Sequence, residues 1–280
     1  MSVERLTVIG TGLMGASVGL AAKRAGVERV AGFDVDSDAL RAARGRGAVD
    51  VAIEELRQAV EGADLVVVAT PVGTISGVVA AVFALAGPRS TITDVGSTKG
   101  RICSDLAGIP SFVGGHPMCG SEASGPDDAR ADLFDGETWF LTPLSEADRG
   151  NHGRVAEFVT SLGAVPVDVD PRMHDRLVAL VSHLPHALAN LLVTQVGAAE
   201  IEGVEARAVA GASFRDMTRV AGANPRVWSD VFLENGELLA AALAEYRNRL
   251  EELETMVLTG DREALLRSIE EAAAHRARPS

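Results

Sequence analysis

A short apolar run, Leu6-Thr7-Val8-Ile9, leads straight into Gly10-Thr11-Gly12-Leu13-Met14-Gly15 and then Ala16-Ser17-Val18-Gly19-Leu20-Ala21-Ala22. Few arrangements suit such a start other than strand, glycine turn and helix. In this G-x-G-x-x-G spacing Gly10 permits the tight turn, Gly12 lets backbone N–H groups approach an anion, and Gly15 lets the helix pack closely on the strand. The anion would sit at the helix N-terminus, where unpaired N–H groups and the macrodipole favour negative charge. A purely structural glycine turn would look the same. The continuation separates the two: Val30-Ala31-Gly32-Phe33 reads as a second strand, and Asp34 falls at its end, where a carboxylate binds the ribose of a dinucleotide. Asp34 repels a 2′-phosphate, so the expected cofactor is NAD rather than NADP, held by Gly10, Gly12, Leu13, Met14, Gly15 and Asp34.

The following segments repeat the alternation. A helix is expected over 37–46, ending at Gly47, and another over 54–61. Asp64-Leu65-Val66-Val67-Val68-Ala69 is continuously apolar, as strands covered on both faces are, and Thr70-Pro71 ends it beside the cofactor crevice. A helix over 74–85 and the strand Thr91-Ile92-Thr93-Asp94 follow, then Val95-Gly96-Ser97-Thr98-Lys99-Gly100. Ser97, Thr98 and Lys99 are candidates to line the crevice, although a lysine such as Lys99 is on its own more often a solvated loop charge. Thr138 to Thr142 and Ala164 to Asp168 read as strands flanking a helix over 147–162. This is an α/β chain with an N-terminal Rossmann-type doubly wound sheet over residues 1–170.

Beyond Asp170-Pro171 the apolar period changes to 3.6, no further strand pattern is evident, and residues 171–280 read as an all-α dimerisation domain. Leu239, Leu243, Tyr246, Leu250, Leu253 and Val257 alternate steps of four and three, a seam suited to packing two copies as a homodimer. A final helix is expected over 262–275.

Three stretches carry candidate chemistry. Phe112-Val113-Gly114-Gly115-His116-Pro117-Met118-Cys119-Gly120-Ser121-Glu122 runs a short strand into a histidine bracketed by glycines and fixed by proline. Histidine titrates near neutrality, so His116 is either a general base or an imidazole satisfied by turn carbonyls. Ser182-His183-Leu184-Pro185-His186 puts two histidines on one helix face around a proline kink. No third ligand lies nearby, and the usual helical zinc pair is four apart, so no metal is expected. Phe214-Arg215-Asp216-Met217-Thr218-Arg219 spaces two arginines so that both guanidinium groups could face one carboxylate; an exposed Asp216–Arg219 ion pair is the plain alternative.

The net charge of −13 over 280 residues excludes nucleic acid and anionic membrane as partners unless a basic patch is segregated. Two cysteines, Cys103 and Cys119, make no disulfide framework, and Met1-Ser2-Val3-Glu4-Arg5 has no leader pattern. No apolar stretch reads as long enough to span a bilayer. A reduced, cytoplasmic protein is expected.

Taken in order, Gly10 to Gly15, Asp94 to Gly100, Gly114 to Met118, Ser182 to His186 and Phe214 to Arg219 resemble the prephenate dehydrogenase family of tyrosine biosynthesis. The resemblance implies an oxidoreductase that decarboxylates prephenate to 4-hydroxyphenylpyruvate with NAD. It implies His116 as catalytic histidine, Ser97 as the serine that orients it, and Arg219 on a substrate carboxylate. His183 and His186 would line the pocket, Asp216 would orient its neighbours, and Ser121 and Glu122 would meet the substrate's side chain. Arogenate, with an ammonium that Glu122 could pair, is the alternative substrate. A chain of this length leaves no room for the fused domains of some relatives, so feedback by tyrosine would act at the active site. A 3-hydroxyacid dehydrogenase shares the two-domain plan but needs a lysine that residues 171–280 lack. A non-catalytic NAD-responsive dimer would need the glycine loop without His116 or Arg219.

Overall fold

The computed structural model describes residues 3–87, 90–120, 123–143 and 149–277. Eight strands form one sheet: β1 Arg5–Ile9, β2 Arg29–Phe33, β3 Val51–Ala52, β4 Leu65–Val68, β5 Thr91–Asp94, β6 Phe112–Pro117, β7 Thr138–Thr142 and β8 Val165–Asp168. Their order is β3-β2-β1-β4-β5-β6-β7-β8. The first six follow the 3-2-1-4-5-6 order of doubly wound dinucleotide folds, so the crevice falls at the carboxyl ends of β1 and β4, where the winding reverses. β6 and β7 pair antiparallel, with His116 opposite Phe140, while β7 and β8 run parallel.

Helices α1 Leu13–Arg24, α2 Ser37–Gly45, α3 Leu56–Val60, α4 Ile75–Ala86, α5 Gly100–Asp105 and α6 Arg149–Ser161 accompany the sheet. Every residue of β4 is buried, which explains its unbroken apolar run. α2 starts where the Asp36 carboxylate accepts from the N–H groups of Asp38 and Ala39. It ends at Gly45, and after the C-cap Arg46 the φ of +74° at Gly47 supplies the left-handed turn. The two-residue β3 and the short α5 carry too little periodicity to be read in sequence.

After β8, Asp170 caps α7 Pro171–Val178 through the N–H groups of Arg172 and Met173. A π-helical turn over Ala179–His183 joins it to α8 Leu184–Gly197. At the expected proline kink the helix makes a π turn, and Pro185 is the second residue of α8 immediately after it. The expectation of a wholly helical remainder is corrected by a hairpin, β9 Glu200–Ile201 and β10 Val204–Glu205. Glu202 and Gly203 turn it with φ of 52° and 83°; its strands are too short for a period-2 pattern. α9 Ala212–Thr218 and α10 Pro225–Glu234 follow.

The run Pro171–Gly197 also corrects the reading that no stretch is long enough to span a bilayer: its 27 residues suffice by length and composition. One face is nevertheless buried in the fold through His174, Asp175, Val178, Ala179, His183, Ala187 and Ala189. Leu180, Val181 and Leu191 lie on the exposed side.

The chain divides into two compact units at Asn235/Gly236, so α7 to α10 share a unit with the sheet. The second unit consists of α11 Gly236–Thr259 and α12 Arg262–Arg276, with Asp261 capping α12 at the N–H of Ala264. Leu250, Leu253 and Val257 of the apolar seam are exposed along α11.

Candidate active site

At the carboxyl end of β1 the chain makes the expected turn. Gly10 has φ +87°, and a Cβ there would stand 2.5 Å from the Ala69 carbonyl oxygen just past β4. A Cβ on Gly15 would stand 1.9 Å from the Gly10 carbonyl oxygen, so helix and loop touch backbone to backbone. Gly12 differs: nothing lies within 4 Å of a Cβ built on it, it precedes α1, and no side chain caps that helix. The first N–H groups of α1, at Leu13 and Met14, thus face open space without an acidic residue in the first turn, an environment suited to a pyrophosphate. Asp34 lies beside this loop, its carboxylate accepting from Thr11 N–H at 2.6 Å, Thr11 Oγ1 at 3.1 Å and Asp36 N–H at 2.9 Å. Across the crevice, Thr70 accepts a 3.0 Å hydrogen bond from Thr74, and Pro71 leads into the turn before α4. The residues present fit NAD.

The loop after β5 is pinned at both ends by carboxylates. Asp94 accepts from the N–H groups of Gly96 at 2.8 Å and Gly115 at 3.0 Å, and forms an ion pair with Lys99 in which both side chains are fully buried. This corrects both readings of Lys99: it is neither solvated nor in the crevice, because its ammonium turns inward to Asp94. Thr98 is buried as well, which leaves half-exposed Ser97 as the loop's side chain open to a ligand. At the far end Asp175 of α7 accepts from Lys99 N–H and Gly100 N–H, each at 2.7 Å.

His116 lies within β6 itself, in crowded surroundings. The flanking glycines are required by packing: a Cβ on Gly115 would stand 2.6 Å from the Asp94 carbonyl oxygen. The imidazole Nδ1 is 2.8 Å from Nε2 of His174, and Nδ1 of His174 is 2.8 Å from the Asp175 carboxylate. Phe140 meets the His174 ring edge-on at 5.4 Å between centroids. Turn carbonyls, the plain alternative for His116, are therefore not what satisfies this side chain. Burial, with neighbouring His174, Lys99 and His183, pushes His116 well below the usual imidazole range, so it is neutral at pH 7, as a base must be. Burial alone would raise the Asp175 carboxyl, but hydrogen bonds from His174, Lys99 and Gly100 outweigh it and hold Asp175 below the usual range.

The helical side brings both predicted histidines to one indole. His186 stacks on Trp228 of α10 with centroids 3.3 Å apart, and His183 approaches it edge-on at 6.0 Å. Asn235 donates to the Asp175 carbonyl at 2.9 Å and lies 3.1 Å from His183 Nδ1, tying α7 to the end of α10. Burial pushes His183 down to about 4. Arg215 in α9 donates to the Ala210 carbonyl at 3.0 Å, while Arg219 begins a 3-10 turn packed against α8. Asp216 is exposed in the last turn of α9. Among the described residues no three His, Cys, Asp or Glu side chains gather as metal ligands.

Residues 18–168 match the family model described as prephenate dehydrogenase, nucleotide-binding domain, and residues 170–271 match its dimerization domain. The chain belongs to the prephenate dehydrogenase family. It is 32% identical to the prephenate dehydrogenase of Bacillus subtilis, over 98% of this chain and 75% of that one. Its fold superposes with a TM-score of 0.92 on the A. aeolicus prephenate dehydrogenase solved with hydroxyphenyl propionate and NAD+, at 29% identity, covering 99% and 98% of the two chains. The arogenate dehydrogenase of Synechocystis is also similar, with a TM-score of 0.82 and 28% identity over 97% and 98%.

Within this prephenate dehydrogenase fold, sequence reasoning missed His174, Asp175 and Asn235. A histidine next to an aspartate at the start of a helix was the one signal for the first two. Ser121 and Glu122 lie outside the described residues.

Proposed function

We propose that this chain catalyses the NAD-dependent oxidative decarboxylation of prephenate to 4-hydroxyphenylpyruvate, in tyrosine biosynthesis, with His116 as general base. The observation that carries the assignment is a buried, neutral imidazole on the strand next to β5, whose following loop presents Ser97. When bound, NAD supplies the hydride acceptor, held by the open N-terminus of α1 at Gly12, Leu13 and Met14 between Gly10 and Gly15, by Asp34, and by Thr70 and Pro71 opposite.

His116 takes the proton of the ring hydroxyl at Nε2, because its Nδ1 is occupied by His174. As that proton leaves, the ring C–H departs as hydride; the ring C–CO2 bond breaks with loss of carbon dioxide, its electron pair passes through the ring to the oxygen, and the resulting phenolate of the aromatic ring takes back the proton held by His116. Such proton transfer is typically worth about 10² to 10⁴ in rate. Ser97 orients the hydroxyl and the imidazole. Arg219 binds a substrate carboxylate by its planar guanidinium, His183 and His186 line the pocket with Trp228, and Asp216 orients Arg219. Two copies pair through the helical segment 171–280, and the two free cysteines suit a reduced, cytoplasmic setting.

Arogenate is the second reading, supported by the similarity to the Synechocystis enzyme. The test is NADH formation with prephenate and arogenate side by side. A kcat/KM at least tenfold higher with prephenate is expected; the reverse order assigns arogenate, and no NADH with either refutes the activity.

A further inference from the structure

Behind His116 two further buried polar side chains, His174 and Asp175, stand in line, and they come from a different part of the chain. His116 comes from β6, His174 and Asp175 from α7. Each link is 2.8 Å long, and the His174 ring is wholly buried. Buried polar groups are held in one arrangement only when every donor meets an acceptor. We infer that His174 and Asp175 are positioning residues that fix His116 as its Nδ1–H tautomer and so leave Nε2 free to accept the substrate proton.

The direction of the chain follows from its far end. Asp175 is an ionised carboxylate that can only accept, and it does so from the N–H groups of Lys99 and Gly100 as well as from His174 Nδ1. With the His174 ring wholly buried and donating from Nδ1 to Asp175, its Nε2 is the acceptor, so the hydrogen between the rings belongs to His116 Nδ1. His116 Nε2 is then a bare lone pair. When it gains a proton, the imidazolium donates more strongly to His174, and the Asp175 charge lies one ring further away to stabilise it. Among the described residues, Lys99 and His183 also act on His116, Cys103 lies near Asp175, and Asp94 accepts the N–H of Gly115 beside His116. Lys99 is neutralised by Asp94, so the Asp175 carboxylate is the negative charge assigned to the line. Asp175 also holds the backbone at Lys99 and Gly100, the end of the loop that carries Ser97, so one carboxylate bears on both the base and that loop.

This inference rests on the reading of His116 as base, and the experiment separates the two. Histidine carrying ¹⁵N is incorporated, the His116 signals are identified by their loss in His116→Asn, and tautomers are read in the full-length enzyme at pH 7.5. Wild type should show His116 protonated at Nδ1 and bare at Nε2. Asp175→Asn presents an amide that can donate to His174 Nδ1 and so reverse the line. It should move the proton of His116 to Nε2 and lower kcat at least about a hundredfold, with the Kd for NAD and the KM for prephenate changed less than about threefold. The same exchange of carboxylate for amide in a Ser-His-Asp triad lowers kcat about 10⁴-fold through the wrong tautomer. His174→Gln, whose amide oxygen can accept from His116, should retain at least ten times the kcat of His174→Phe. A wild-type His116 bare at Nδ1 overturns the inference directly. So does an Asp175→Asn enzyme that keeps the tautomer and turnover, or one that loses NAD affinity in proportion to kcat. Equal turnover in the Gln and Phe variants overturns it even if Asp175→Asn does not fold. If His116→Asn itself retains turnover, the reading of His116 as base fails instead.

Discussion

Lys99 and Asp94 form an ion pair from which water is excluded, and the same carboxylate accepts the N–H of Gly115, the residue before His116. A charge pair so placed is held for position rather than for net stability. Breaking it leaves one buried charge alone. Lys99→Met should destabilise the fold by about 3–5 kcal/mol, measured by denaturant unfolding at fixed protein concentration. A change below about 1 kcal/mol would mean that the pair is solvated in solution.

The glycine loop separates space needed by the fold from space needed by the cofactor. Gly12→Ala meets nothing within 4 Å, so stability should stay within about 0.5 kcal/mol of wild type while the Kd for NAD rises at least about tenfold. Gly15→Ala drives a Cβ into the Gly10 carbonyl and should impair folding as well. Calorimetric melting and NAD titration of both variants check this; equal behaviour of the two would contradict it.

Arg219 is the arginine proposed for a substrate carboxylate, whereas the Arg215 guanidinium donates to the Ala210 carbonyl. Arg219→Gln should raise the KM for prephenate at least about tenfold with little effect on the Kd for NAD, whereas Arg215→Gln should change KM less than about threefold. Steady-state kinetics on the pair decides it.

His183 ties stability to pH. Its unfolded imidazole titrates near 6.5 and its folded one near 4, so between these values the unfolded chain binds the extra proton. Stability is fully present above about pH 6.5 and is lost as pH falls toward 4; the depressed His116 acts in the same direction. Asp175 contributes only below the usual carboxylate range, outside this window. His183→Gln should flatten the slope of unfolding free energy against pH between 6.5 and 4.5. An unchanged slope would show that His183 is solvated.

Most of the sheet is legible in the sequence because parallel strands buried on both faces read as apolar runs, as Leu65 to Val68 do. The strand bearing His116 is harder, because glycine and proline suggest a turn; the glycines are there to let Asp94 and Thr142 approach. Single positions such as His116 and Ser97 stand out because their loops are locally distinctive. His174 and Asp175 do not, since their meaning lies in contacts 58 and 76 residues back along the chain, with His116 and Lys99. The only local sign of the π turn over Ala179–His183 is Pro185 two residues beyond it, which predicts an irregular turn without saying which kind.

The central claim is that His116 is the base. Turnover of prephenate by His116→Asn, with NAD affinity measured on the same preparation, tests it most directly. The predicted result is a fall in kcat of at least about a hundredfold with the Kd for NAD nearly unchanged; full turnover in the variant would contradict it.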